Sequence, residues 1–131
     1  MIFLDTSAIY ALADMADSKH AEARGLLENL LSQGETLLTH NYVLVESLAL
    51  VQHRLGSAAA IKLARSASSF DVAWIDSKLH DQAVRRFGRA SRRRLSFVDE
   101  VSFLVMRSRR VRVAFAFDPD FADRGFRLLK A

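Results

Sequence analysis

Short apolar runs alternate along this chain with longer stretches in which apolar residues recur every three or four positions. Met1-Ile2-Phe3-Leu4 ahead of Asp5 predicts a strand over 2–5, and Thr6-Ser7 can cap a short helix running to about Ala13. Beyond the polar break from Asp14 to Ser18, Ala21, Ala23, Leu26, Leu27, Leu30 and Leu31 fall on one stripe of a helix over 19–32, stopped by Gly34. Thr36-Leu37-Leu38-Thr39 predicts a second strand. A helix from Asn41 to about Leu55 follows, with Gly56 as its stop, and Ser57 can cap another reaching about Ser69. Asp71 to Ile75 predicts a third strand and Ser77 to about Arg89 a helix. Ser96 can cap a helix to about Ser108, Val111 to Phe117 predicts a fourth strand, and Phe126 to Leu129 an edge strand. The alternation predicts an α/β fold over residues 1–131: one domain with a central parallel sheet of four to five strands and helices on both faces.

The strand ends draw attention to four acids. Asp5 and Asp118 each follow an apolar run, while Glu46 and Asp99 lie near the starts of two helical stretches. In open α/β sheets ligands bind in the crevice beyond the carboxyl ends of the strands. Carboxylates gathered there repel unless a cation offsets them, and their hard oxygens suit Mg²⁺ or Mn²⁺.

Each acid also has a plainer reading. Asp5 can cap the first helix. Glu46, among Tyr42, Val43, Leu44, Val45 and Leu48, can face solvent from a largely buried helix. Ser96-x-x-Asp99 reads as a capping box. Asp118-Pro119-Asp120 reads as an N-cap followed by proline. Asp120 rivals Asp118 for a site role and Glu100 rivals Asp99. The joint placement around one crevice favours the site reading over four independent caps.

With 131 residues and no cysteine, the chain has neither disulfides nor a zinc–thiolate site. No stretch approaches the ~18 apolar residues of a membrane span, and nothing near Met1 resembles a signal peptide, so a cytoplasmic address is expected. Residues 1–50 carry seven acids and two bases, net −5; residues 51–131 carry eight acids and seventeen bases, net +9. Arg92, Arg93 and Arg94, just ahead of Asp99, are the best-placed candidates for holding the phosphates of a polyanion; the plainer reading is a charged loop. His20, His40, His53 and His80 show no ligand spacing and are read as surface or core. Trp74 and Tyr42 could stack on bases but are read as packing, as are Phe97, Phe103, Phe115 and Phe117.

Leu4-Asp5-Thr6-Ser7-Ala8-Ile9-Tyr10-Ala11-Leu12 resembles the opening motif of PIN-domain nucleases. Glu46-Ser47-Leu48 resembles that family's second acidic site, Leu95 to Phe103 the third, and Ala116 to Phe121 with Gly125-Phe126 the closing motif. The four acids are spaced by 41, 53 and 19 residues. The resemblance implies a Mg²⁺- or Mn²⁺-dependent endoribonuclease, the toxin of a bacterial VapC-type toxin–antitoxin pair. Carried over, Asp5, Glu46, Asp99 and Asp118 form the catalytic quartet, with Asp5 and Asp99 as the main metal ligands. Thr6 and Ser96 are supporting hydroxyls, and Asp120 assists. A small antitoxin protein and a homodimer are the implied partners beside RNA. Two rivals remain at this stage. A receiver or haloacid-dehalogenase type of phosphoryl transfer lacks its Asp-Asp or Asp-x-Asp-x-Thr pattern here. A non-cleaving RNA- or protein-binding module has no use for four repelling acids.

Overall fold

A computed structural model describes residues 1–89 and 95–130. Its first strand, β1 (Ile2–Leu4), has every residue buried. Successive strand side chains point to opposite faces, so burial of all three means that both faces are covered. The same holds for β2 (Leu37–His40), where Thr39 Oγ1 donates to the Leu4 carbonyl at 3.0 Å. Among the described residues the sheet has five strands, completed by β3 (Asp71–Ala73), β4 (Val113–Phe115) and β5 (Arg127–Leu128), in the order β3-β2-β1-β4-β5. Every pairing is parallel. The chain builds outward from β1 through β2 to β3, then crosses back to lay β4 on the other side of β1. The strand order reverses between β1 and β4, and a parallel sheet opens its ligand crevice at that point.

The helices are α1 (Thr6–Ala13), α2 (His20–Ser32), α3 (Asn41–Leu55), α4 (Ser57–Ser66), α5 (Ser77–Arg89), α6 (Phe97–Arg109) and the single turn α7 (Asp120–Asp123). Gly56, at φ +94°, ends α3 and turns the chain into α4; that backbone region favours glycine. The stretch read as one helix to Ser69 leaves the α-form at Ser66 and tightens into a 3₁₀ turn over Ala67–Ser69. Phe3, Phe103, Phe115 and Phe121 fill the core, with Phe103 edge-on to Phe121 at 5.1 Å between centroids. Trp74 departs from the packing reading, since it stands 76% exposed just past the edge strand β3. Tyr42 agrees with that reading, its hydroxyl 2.7 Å from His80 Nδ1 and its ring beside Phe97.

Candidate active site at the β1–β4 crevice

Asp5 leaves the end of β1 and caps α1. Its carboxylate accepts from the Ser7 amide at 3.1 Å and the Ser7 hydroxyl at 2.7 Å. The capping reading of Asp5 thus holds, and the cap leaves its carboxylate close enough to Asp118 to feel that charge. Ser7 Oγ also accepts from the Phe117 amide at 3.0 Å, and the Asp5 amide donates to the Phe115 carbonyl at 3.1 Å. These bonds stitch the turn after β1 to the segment after β4. Burial raises the Asp5 carboxyl above its ordinary range, and the charge of Asp118 pushes the same way.

Thr6, the next residue, faces a different partner. Its Oγ1 donates to Glu46 Oε1 at 2.6 Å, while the Ser47 hydroxyl donates to Thr6 Oγ1 at 3.4 Å. Glu46 is exposed on α3, yet it is turned toward α1 through Thr6.

Ser96 and Asp99 form the capping box that their spacing predicts. Ser96 Oγ accepts from the Asp99 amide at 3.1 Å, and Asp99 Oδ2 accepts from the Ser96 amide at 3.2 Å. That leaves Asp99 in the crevice, where burial, reinforced by repulsion from Asp5 and Asp118, pushes its carboxyl from 3.8 up to about 6. After β4, Asp118 Oδ1 accepts from the Asp120 amide at 2.9 Å and turns the chain into α7. One carboxylate oxygen from each of Asp99, Asp118 and Asp120 falls within 4.8 Å of the other two. Both rivals for the fourth position thus lie in the cluster. Glu100 does not rival Asp99: it is 1% exposed and turned inward onto Arg124. Arg92, Arg93 and Arg94 lie outside the described residues.

Sequence reasoning missed two supporting side chains. Ser7 was legible in principle, because a serine two residues after a strand-ending Asp sits where an Asx-type cap forms. His40 carried no such signal. It is fully buried as the N-cap of α3, accepting from the Val43 amide at Nδ1 (3.2 Å), so the ring proton resides on Nε2. Nε2 donates at 2.8 Å to Ser102 Oγ, which in turn donates to the Val98 carbonyl at 3.0 Å. His40 thereby locks the helix carrying Glu46 to the helix carrying Asp99, and burial pushes its ring down to about 3, keeping it neutral.

The donor set fits a hard divalent cation. Three carboxylate oxygens converge and two carboxyls are lifted by burial and mutual repulsion, which a bound cation would reverse.

The sequence profile of the PIN domain matches residues 2–127. The chain is 38% identical over 128 residues to the 23S rRNA-specific endonuclease VapC20 of Mycobacterium tuberculosis, in the CDC 1551 / Oshkosh strain and in H37Rv alike, spanning 96% of this chain and 95% of the relative. The crystal structure of M. tuberculosis VapC20, described as a Sarcin-Ricin loop cleaving toxin, superposes with a TM-score of 0.88 at 34% identity, covering 100% of both chains. A Pyrobaculum aerophilum protein shares the fold with a TM-score of 0.65 at 24% identity, over 97% of this chain and 87% of that one. With its acids gathered at the β1–β4 crevice and the profile spanning almost its whole length, the chain belongs to the PIN-domain family.

Proposed function

We propose that this chain is a divalent-metal-dependent endoribonuclease, the toxin of a toxin–antitoxin pair, acting as one PIN domain on the sarcin–ricin loop of 23S rRNA. The observation that carries the reading is the convergence of Asp99, Asp118 and Asp120 beside Asp5 at the strand-order reversal. The substrate is assigned from the resemblance to VapC20, which extends over 96% of the chain.

Asp5, Asp99 and Asp118, with Asp120, would hold the cation, Mg²⁺ or Mn²⁺, which would acidify a water and relieve charge on the scissile phosphate. The rest falls to this chain's own side chains. Ser7 fixes the rotamer of Asp5, the Ser96 amide fixes Asp99, and Thr6 holds the Glu46 carboxylate at the start of α1. Glu46 completes the quartet by orienting water or receiving its proton. Arg92, Arg93 and Arg94, next to α6 in sequence, hold the RNA backbone against the repulsion of the acids. His40 takes no part as a base, because its Nδ1 lone pair caps α3.

The toxin reading assigns a small antitoxin to the apolar groove between α1, α2 and α4, lined by Leu12, Met15, Leu27, Leu31, Leu63 and Phe70. It also assigns a homodimer and a cytoplasmic site of action, where the proposed substrate resides. Among the described residues no helix is long and apolar enough to cross a membrane.

The test is cleavage of a sarcin–ricin loop oligonucleotide and of whole 23S rRNA, with Mn²⁺, Mg²⁺ or EDTA, beside Asp5→Asn and Asp99→Asn. One cut that needs both the metal and the two aspartates supports the proposal. RNA retained whole under every metal condition replaces it with a binding module, and cuts confined to other RNAs overturn the substrate.

A further inference from the structure

We propose that Glu100 and Arg124 are positioning residues, a charged strut buried at its Glu100 end that holds the Asp118–Asp120 segment at its distance from Asp99. The proposal rests on the metal-dependent reading above. Asp99 and Glu100 are consecutive on α6 and so point about 100° apart around the helix. Asp99 faces the crevice, while Glu100 faces the turn between α7 and β5. There Glu100 Oε1 accepts from the Arg124 guanidinium at 2.5 Å, and that guanidinium lies 4.9 Å from the centroid of the Phe103 ring. From the next turns of α6, Arg107 donates to the Arg124 carbonyl at 3.4 Å and covers Phe126.

Arg124 closes α7, and its amide donates to the Asp120 carbonyl at 3.1 Å. The Asp120 amide in turn donates to Asp118 Oδ1. The contacts run in an open chain from Asp99 through its neighbour Glu100 to Arg124, Asp120 and Asp118, and the two ends lie close, with one carboxylate oxygen of each within 4.8 Å of the other. Moving Arg124 moves both carboxylates that face Asp99.

Stability alone is a poor reason for this pair. A buried ion pair often contributes no more than apolar side chains of the same volume. Here it is costlier than usual, since Glu100 Oε2 is buried without a hydrogen-bond partner among the described residues. What a charged pair adds over a greasy contact is a single permitted register, which a site built from three carboxylates on two segments requires.

The measurement is Mn²⁺ affinity by titration calorimetry at fixed pH, paired with melting in EDTA. The proteins are wild type, Glu100→Gln, Arg124→Lys and Leu26→Ala, the last a core truncation on α2, which carries none of the acids. Glu100→Gln keeps the shape, and Arg124→Lys keeps the charge at a partly exposed position. Both should weaken Mn²⁺ about 10-fold or more, as loss of a ligand-orienting partner does. Leu26→Ala should lower the melting temperature and leave the affinity unchanged. In an Asp120→Asn background Glu100→Gln should add little further loss. Wild-type affinity in both strut variants overturns the proposal, as does an equal loss in Leu26→Ala. A wild-type protein that binds Mn²⁺ and leaves RNA whole sinks the nuclease reading and not the strut; one that binds no Mn²⁺ sinks both.

Discussion

Asp99→Asn should make the metal-free protein more stable while destroying its activity. The Asp99 carboxyl is pushed from 3.8 to about 6, first by burial and then by Asp5 and Asp118. A gap of that size corresponds to about 3 kcal/mol between the two protonation states. Asp99 is only half-buried, and solvent screening brings the usable part to about 1–2 kcal/mol. A raised native value means that the folded protein holds this proton more tightly than the unfolded chain. The stabilisation is therefore fully present below 3.8 and is lost as pH rises through about 6. At pH 7.5 in EDTA the wild type carries the whole penalty and Asp99→Asn carries none. Asparagine still accepts the Ser96 amide, so the capping box survives. The variant should melt about 3–8 °C higher. Near pH 3.5 the advantage should almost vanish, since the carboxyl is then mostly protonated in the folded and the unfolded chain alike. Saturating Mn²⁺ at pH 7.5 should reverse the order, because only the wild type gains binding energy. Comparing variant with wild type at each pH cancels the titration of every group that does not interact with Asp99. A variant no more stable than wild type at pH 7.5, or equally favoured at both pH values, would refute the account of Asp99.

Ser7→Ala removes the donor to Asp5 and the acceptor for the Phe117 amide, and should cost about 1–2 kcal/mol in denaturant titrations and about 10-fold in single-turnover cleavage. Thr6→Val keeps the shape but drops the bond to Glu46 and the acceptor for the buried Ser47 hydroxyl; cleavage should fall and stability should drop by about 1 kcal/mol, and an unchanged rate would remove Thr6 from the positioning of Glu46. His40 should govern acid unfolding: its native value, held at about 3 against 6.5, means stability is lost as pH falls from 6.5 toward 3. His40→Asn, which can still cap α3, should show a flatter acid limb in circular dichroism. RNA retention by Asp5→Asn should fall steeply with salt if the arginine-rich half carries the binding.

The buried strands were legible because both-face burial demands continuous apolar runs, which Ile2-Phe3-Leu4 and Ala114-Phe115-Ala116 supply. The acids at their ends were legible for the same reason, each being the polar residue that stops such a run. Strand limits were less so, because side chains far away in sequence end the ladders. Ile75 leaves β3 when its amide donates to Asn41 Oδ1 at 2.7 Å, and Phe117 leaves β4 when its amide donates to Ser7. Thr6 and Ser7 are adjacent hydroxyls, and spacing from the strand end marks only Ser7 as a partner of Asp5. The bond from Thr6 to Glu46 spans forty residues and is made by the fold. Glu100 and Arg124, like His40 and Ser102, are pairs made by tertiary packing across tens of residues, which neither periodicity nor spacing records. Trp74 went astray because apolar character predicts burial only on average, and an edge strand leaves one flank uncovered.

The two rims of the sheet are short: β3 has three residues and β5 only two. Among the described residues such rims present few unpaired amides and carbonyls, which disfavours growth by strand addition. Assembly with a copy of itself or with another protein is thereby steered toward helix surfaces.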